Sequence, residues 1–293
     1  MKIIITGSLG NISRPLTEEL VQKGHDIVVI SNNAEKQAAI EALGATAAIG
    51  SLADTAFLTG VFNSADAIYA MIPPNFNVPD VLVHYEQIGK SYAEAIKVSG
   101  IKRVVQLSSW GAHLPGGTGF IVGSYRVEQI LNQLQDVDIT YLRPTSFYNN
   151  LFHYSQMIKQ AGFIETNFGG EDRLAMVSPR DIAAVAAEEL LSIPRKNNTI
   201  RYISSDERTC NEIAEVLGSA IGMPGLKWIT LPNDHVKQAM LKNGLPEQVA
   251  NKMIELNESI HTGLIREDYD LHQPTSGKVK LEDFAKEFAA AFK

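Results

Sequence analysis

The chain has 293 residues, 45% of them hydrophobic and 20% charged, with a formal net charge of −7. These values exclude a disordered chain and a minimal stapled domain. The acidic balance leaves no electrostatic footprint for a polyanion, so no nucleic-acid partner is expected. From the N-terminus, the strand-like runs are Lys2–Thr6, Asp26–Ile30, Thr46–Ile49, Ala67–Met71, Arg103–Leu107 and Ile139–Leu142, with helix-like segments near 11–23, 34–43, 54–62, 79–99 and 120–134 between them. Continuous apolar strands alternating with amphipathic helices predict an α/β fold, a doubly wound parallel-sheet Rossmann fold. After Arg143 the pattern changes. A helix is expected near 147–160 and a glycine-containing segment around Phe168–Gly170, while Pro179–Leu191 and Thr199–Ile203 read as a return to the main sheet. The organisation expected is a core over 1–150 rejoined by 175–205, a smaller, mainly helical lobe over 151–174 and 206–275, and a closing helix in 276–293 that packs back on the body.

The segment IIITGSLGNIS sets Gly7 and Gly10 directly after the first strand, with Ser13 where a third glycine often sits. A pyrophosphate needs backbone N–H donors at close range, and glycine removes the side chain that would hold it away. The following helix aims its positive end at the phosphates, and a small Ser13 lets helix and strand approach. Pro15 falls early in that helix, where its missing N–H costs least. In this strand–turn–helix context Gly7, Ser8, Leu9, Gly10, Asn11 and Ile12 are expected to bind a dinucleotide. An NAD site generally carries an acid at the end of the second strand. Here the chain reads Ser31, Asn32, Asn33, with Lys36 following. Uncharged donors plus a cation favour NADP(H), with NAD(H) also admissible.

These residues resemble the NmrA-like group of atypical short-chain dehydrogenases/reductases over nearly the whole chain. The resemblance rests on GSLGNIS, on VVQLSSWGAHLPGG, on LRPTSFYNNL (the most specific), on VSPRDIAAVAAEEL and on LEDFAKEFAAAF. It implies a Rossmann fold and an NADP cofactor. The group includes NADPH-dependent quinone reductases, isoflavone-type reductases and catalytically silent NADP-sensing regulators. In members that prefer NADP an arginine and then a lysine follow the second strand. Here the arginine position falls on Asn32, while Lys36 matches.

A standard short-chain dehydrogenase uses Ser, Tyr and Lys, the lysine four residues past the tyrosine and lowering its pKa. Ser109 and Tyr125 fit the first two roles, but Gln129 stands in the lysine position and Glu128 lies beside it. A carboxylate near a phenol raises its pKa. Tyr125 is kept as a candidate acid, and so is His113 in the glycine-rich loop Gly111–Gly119, which reads as able to move over the site. Hydride transfer to a quinone does not require the triad, because the protein must chiefly align two rings and exclude water.

Ligands of open α/β sheets sit beyond the carboxyl ends of the strands. Those ends add Met71, Ile72, Pro73, Ser108, Pro144, Thr145 and Phe147 as expected cofactor neighbours. Trp110, Tyr148 and Phe152 are expected to line the substrate with flat apolar rings. The histidines show no metal-ligand spacing, and no metal is expected. Cys210, the one cysteine, and Asp181, an early helix-turn acid, read as structural. The lack of a secretory signature or an apolar run of ~20 residues points to a cytoplasmic protein without a membrane partner. The first functional reading is an NADPH-dependent reductase of a quinone or similar electrophilic aromatic. The alternative is a silent NADP(H) redox sensor acting through a protein partner, and the third is a nucleotide-sugar epimerase-like enzyme.

Overall fold

A computed structural model describes residues 1–193, 195 and 197–292. Pro194 and Lys196 of the predicted returning segment, and Lys293 of the closing one, lie outside the described residues. The chain forms two compact units, one of residues 1–112, 123–143 and 182–201 and the other of residues 113–122, 144–181 and 202–293. The predicted core boundary at 150 therefore moves to Pro144. The segments 175–181 and 202–205, expected to rejoin the core, belong to the second unit.

In the order of the chain, the first part runs β1 (Lys2–Ile5), α1 (Ser13–Gln22), β2 (Asp26–Ser31), a 3-10 turn over Ala34–Lys36, α2 (Gln37–Glu41), β3 (Thr46–Ile49), α3 (Thr55–Phe62), β4 (Ala67–Ala70), α4 (Val81–Ser99), β5 (Arg103–Leu107), α5 (Ile121–Leu131) and β6 (Asp138–Pro144). Then follow β7 (Ser146–Phe147), a 3-10 segment Tyr148–Tyr154, α6 (Ser155–Ala161), β8 (Ile164–Thr166), β9 (Arg173–Val177), α7 (Pro179–Leu191), β10 (Thr199–Ile203), β11 (Asp206–Thr209), α8 (Cys210–Ala220), β12 (Trp228–Thr230), α9 (Asn233–Lys242), α10 (Glu247–His261), a 3-10 turn Leu264–Arg266, α11 (Glu267–Leu271) and α12 (Leu281–Phe292).

Seven strands form the main sheet in the order β10-β6-β5-β4-β1-β2-β3. The β1–β2, β2–β3, β1–β4, β4–β5 and β5–β6 pairs are all parallel. Runs such as Ile3–Ile5 and Ile27–Ile30 are buried throughout, as strands covered on both faces must be. Helices α3 and α4 pack together. Leu58, Phe62, Tyr92 and Ile96 share one core with Ile4, Ile68 and Val104 of the sheet. Asp54 caps α3 and Asp80 caps α4 through their side chains, each satisfying first-turn N–H groups. Gly100, at φ 73°, ends α4 with its N–H on the Ile96 carbonyl. Winding reverses between β1 and β4, and the crevice beyond those two strand ends is where such sheets take a ligand.

The second unit is more mixed than the expected helical lobe. It holds a three-stranded sheet, β11-β9-β7, and a two-stranded one, β12-β8. Within it α12 packs on α8 and on the 3-10 segment Tyr148–Tyr154.

Candidate functional site

The turn after β1 is built around Thr6, Gly7 and Ser13. Thr6 hydrogen-bonds to the end of β4 twice, its N–H donating to the Tyr69 carbonyl at 3.0 Å and its hydroxyl accepting from the Met71 N–H at 2.8 Å. Ser13 donates its hydroxyl to the Thr6 carbonyl at 2.8 Å, which draws the first turn of α1 against β1. Gly7 sits at φ 91°, and a Cβ there would meet Ser13 Oγ at 2.6 Å and the Met71 side chain at 3.0 Å. Only glycine fits that position. Ser8 also takes a positive φ of 55°; its N–H donates to the Ile30 carbonyl at 3.1 Å and its hydroxyl to Ser31 Oγ at 3.0 Å. No side chain caps α1, and its first turn carries no acid. Its leading N–H groups and positive end are thereby suited to an anion.

Beside this turn lies a cleft of about 600 Å³, contained within the first unit. Gly7, Ser8 and Gly10 form one wall, Ile30, Ser31 and Asn32 another, and Met71, Pro73, Pro74 and Asn75 the end of β4. Ser51, Leu52 and Ala53 after β3, with His84 and Ile88 on α4, complete it. A glycine cradle that a Cβ would fill, facing a cleft of this size with no carboxylate among its lining residues, fits the pyrophosphate and adenosine half of a dinucleotide.

Several expected cofactor residues lie off this wall. Ile12 is buried in the core, and Leu9 and Asn11 are not among the lining residues. Ser31 is buried, its hydroxyl engaged by Ser8 and by the Asn33 N–H at 3.2 Å. Asn33 caps the 3-10 turn by accepting the Glu35 N–H at 2.9 Å. Lys36 is exposed and outside the lining residues, which leaves Asn32, just past β2, as the exposed polar side chain on that wall. Ile72 belongs to the core cluster.

At the end of β5, Ser108 donates to Glu128 Oε1 at 2.5 Å. Glu128 is 3% exposed and receives Arg143 through Nε at 3.0 Å and Nη2 at 2.7 Å. The Ser108 hydroxyl is thus committed to a buried ion pair. The same pair corrects the reading of Glu128 as a neighbour acting on Tyr125, since its carboxylate turns into the core. Tyr125 is half-buried on α5, with Gln129 exposed one turn further on.

Pro144, Thr145 and Phe147 fall in the second unit. Thr145 is buried, its N–H donating to the Ile203 carbonyl at 3.0 Å, and Phe147 lies on β7 paired with Val177. The expected ring platform for an acceptor also needs correction. Trp110 is 3% exposed and is a core residue. Tyr148 is buried, stacked on Phe284 at 5.2 Å and 12°, with its hydroxyl donating to the Val279 carbonyl at 3.3 Å. Burial, then the carboxylates of Asp206, Asp181 and Glu282, push that phenol far above the usual range. Phe152 packs between Phe284 at 5.2 Å and Phe288 at 5.5 Å. Helix α12 covers two of the rings expected to stack on a substrate, Tyr148 and Phe152.

The glycine loop expected to swing is fastened. Gly117 donates its N–H to Glu255 Oε1 at 2.9 Å, and a Cβ on Gly119 would collide with the Lys252 carbonyl of α10. Burial works against the Glu255 charge, but Lys252 and the Gly117 and Gly119 N–H groups hold its carboxyl below the usual range. His113, in the same loop, is half-buried. Asp181 does more than sit at a helix start. It accepts the Ser205 hydroxyl at 2.6 Å and the Val279 N–H at 3.1 Å, which ties down the segment leading into α12.

Sequence reasoning missed Ile30, Ser51, Leu52, Ala53, Asn75, His84 and Ile88. The topology itself was the available signal, because a cleft at the β1/β4 reversal must also be walled by the β3–α3 loop and by α4. Among the described residues no group of three or more His, Cys, Asp or Glu side chains is arranged to hold a metal ion. None of their helices is long and apolar enough to cross a membrane.

Comparison with known proteins places this geometry among relatives. The model of the NmrA-like family matches residues 1–271. An NAD(P)H azoreductase of Xenophilus azovorans is 26% identical over 296 residues, covering 99% of each chain. The structure is similar to triphenylmethane reductase of Citrobacter sp., with TM-score 0.80, 18% identity, and coverage of 99% of this chain and 100% of that one. It is similar too to an NADPH-dependent quinone oxidoreductase of Escherichia coli complexed with NADPH, with TM-score 0.75, 19% identity, and coverage of 97% and 99%.

Proposed function

The chain belongs to the NmrA-like family, and we propose that it is an NADPH-dependent reductase whose acceptor is a quinone or a similar electrophilic aromatic. The observation that carries the cofactor is the cleft beside Gly7 and Gly10. Its β2 edge presents Asn32 and no carboxylate, so nothing there repels a 2′-phosphate as an acid would. The relatives named as an azoreductase, a triphenylmethane reductase and a quinone oxidoreductase support the acceptor class.

When bound, the dihydronicotinamide supplies a hydride. The N–H groups of the turn and of the start of α1 that are not already bonded within the chain would hold the pyrophosphate, and Thr6, bonded to both Tyr69 and Met71, keeps the ends of β1 and β4 at fixed separation. The buried Glu128–Arg143 pair fixes Ser108 at the end of β5. A quinone needs orientation and exclusion of water more than an acid of tuned pKa, which suits a helix carrying Tyr125 without a lysine one turn on. That same feature favours a second reading, a silent NADP(H) sensor. Absorbance-monitored NADPH oxidation with and without a panel of small quinones separates the two. Saturable, quinone-dependent oxidation is expected; tight NADPH binding without turnover would replace the reductase with the sensor.

A further inference from the structure

We propose that Phe76 is the ring on which the acceptor stacks. This rests on the reductase reading and supplies that reaction with its acceptor contact. The rings first expected in that role do not serve it: Trp110 is buried, and Tyr148 and Phe152 are covered by α12. Among the described residues, Phe76, at 43%, is the most exposed phenylalanine, tyrosine or tryptophan. It directly follows Asn75, the last residue of the loop after β4 to line the cleft. Its position in the fold decides which part of the cofactor it adjoins. With the pyrophosphate at the β1–α1 turn, the adenosine half runs toward the end of β2. The nicotinamide half leaves the turn on the other side, where β4 neighbours β1 in the sheet. Hydride transfer needs the acceptor and the nicotinamide in close, aligned contact. A flat acceptor laid on the nicotinamide still turns one face to water, and the loop after β4 holds an aromatic ring at that end of the cleft. Aromatic rings in offset or edge contact gain more than the area they bury.

The loop is also stiff. Pro73, Pro74 and Pro79 fix φ at three positions between β4 and α4. The Asn75 side chain accepts the Asn77 N–H at 3.1 Å, a turn that spans Phe76. Asp80 accepts the N–H groups of Leu82 and Val83 at 2.8 and 3.1 Å, which anchors the far end on α4. Such a segment has little conformational freedom left to lose on binding. Val83, also 43% exposed, precedes His84 of the cleft lining. Single exposed apolar side chains are ordinary on a surface, whereas two that adjoin lining residues of one cleft point to an apolar ligand.

The test compares the wild type with Phe76→Ala and Phe76→Tyr, using benzoquinone and naphthoquinone as acceptors. Steady-state NADPH oxidation gives KM and kcat. Titration of each quinone into the protein saturated with oxidised NADP, which has no hydride to give, yields Kd. Phe76→Ala should raise KM and Kd for naphthoquinone roughly tenfold, and those for benzoquinone less, because the second ring adds stacked area. NADPH affinity and the melting temperature of the unliganded protein should stay near wild type. Phe76→Tyr keeps the ring and should bind both quinones nearly as the wild type does. An unchanged quinone Kd in Phe76→Ala, a loss equal for the two quinones, or a loss shared by NADPH overturns the assignment. A wild type that binds quinone yet oxidises no NADPH overturns the reductase reading, and the Kd comparison still decides the stacking. No quinone binding by the wild type overturns both.

Discussion

Replacing Gly10 with valine separates cofactor binding from folding. A Cβ at this position meets only the Gly7 carbonyl, at 3.1 Å, and Gly10 is exposed at the edge of the cleft. Unlike Gly7, it does not adopt a positive φ. The cost to the fold is therefore about 1 kcal/mol, the usual scale for mild crowding, which lowers the melting temperature of a chain this size by roughly 2–4 °C. The cost to binding is larger. An isopropyl group at the turn holds a pyrophosphate off its backbone donors, and losing two hydrogen bonds to a charged group costs about 3 kcal/mol or more. That corresponds to at least roughly a hundredfold in Kd. Thermal unfolding without ligand and fluorescence titration with NADPH read the two effects separately. An NADPH Kd within about threefold of wild type, at nearly unchanged melting temperature, would refute the turn as the phosphate site. Gly7→Ala is the contrasting case, since its Cβ collides with Ser13 Oγ at 2.6 Å and should destabilise the unliganded protein as well.

Asn32→Asp puts a carboxylate where β2 meets the cleft; close repulsion of ~1–4 kcal/mol should weaken NADPH about tenfold or more and spare NADH, and an unchanged ratio of the two Kd values would show that this strand end does not read the 2′ position. Lys36→Ala should change NADPH affinity less than about threefold, because the side chain is exposed outside the lining residues; a selective tenfold loss in the same titration would restore it as the phosphate grip. Tyr125→Phe should keep most quinone turnover, and a drop in kcat in the range of a general acid, about a hundredfold or more, would show that the phenol donates a proton. Glu128→Gln removes a buried carboxylate that Arg143 bonds and should cost about 3 kcal/mol in urea unfolding; a loss below about 0.5 kcal/mol would mean the pair adds nothing.

The parallel sheet was legible because its strands are buried on both faces. Ile3–Ile5 and Ile27–Ile30 leave periodicity little to decide, and the glycines after β1 identify the turn by its position. The second unit was harder to read. Strands β8, β11 and β12 are short, and Asp206–Thr209 is polar and only partly covered, so neither alternation nor an apolar run marks them, while β9 carries a buried apolar run, Leu174–Val177, that was passed over. The aromatic residues after β6 misled for a related reason. A strand end supplies a ligand surface only where no later segment covers it, and Phe284 and Phe288 lie far along the chain from Tyr148 and Phe152. Buried charge was also invisible to sequence reasoning. Arg103 bonds Asp138 and Glu189 at 2.9 Å each, partners brought together only by the sheet. Glu128 read as a nuisance to Tyr125 until its Arg143 partner on β6 was seen.

The clasp of Asp181 and Ser205 on the segment before α12 bears on how the protein is made. Lys280 adds to it by donating to the Ser205 carbonyl at 2.7 Å. The helix it leads into supplies Phe284 and Phe288, the rings that cover Tyr148 and Phe152. These residues follow every strand in chain order, so the second unit cannot close its apolar interior until they have been made, whereas the strands β1–β6 have by then already emerged and can pair. A chain that stalls, or is cut before Leu281, exposes a cluster of aromatic rings of the kind that chaperones and proteases engage.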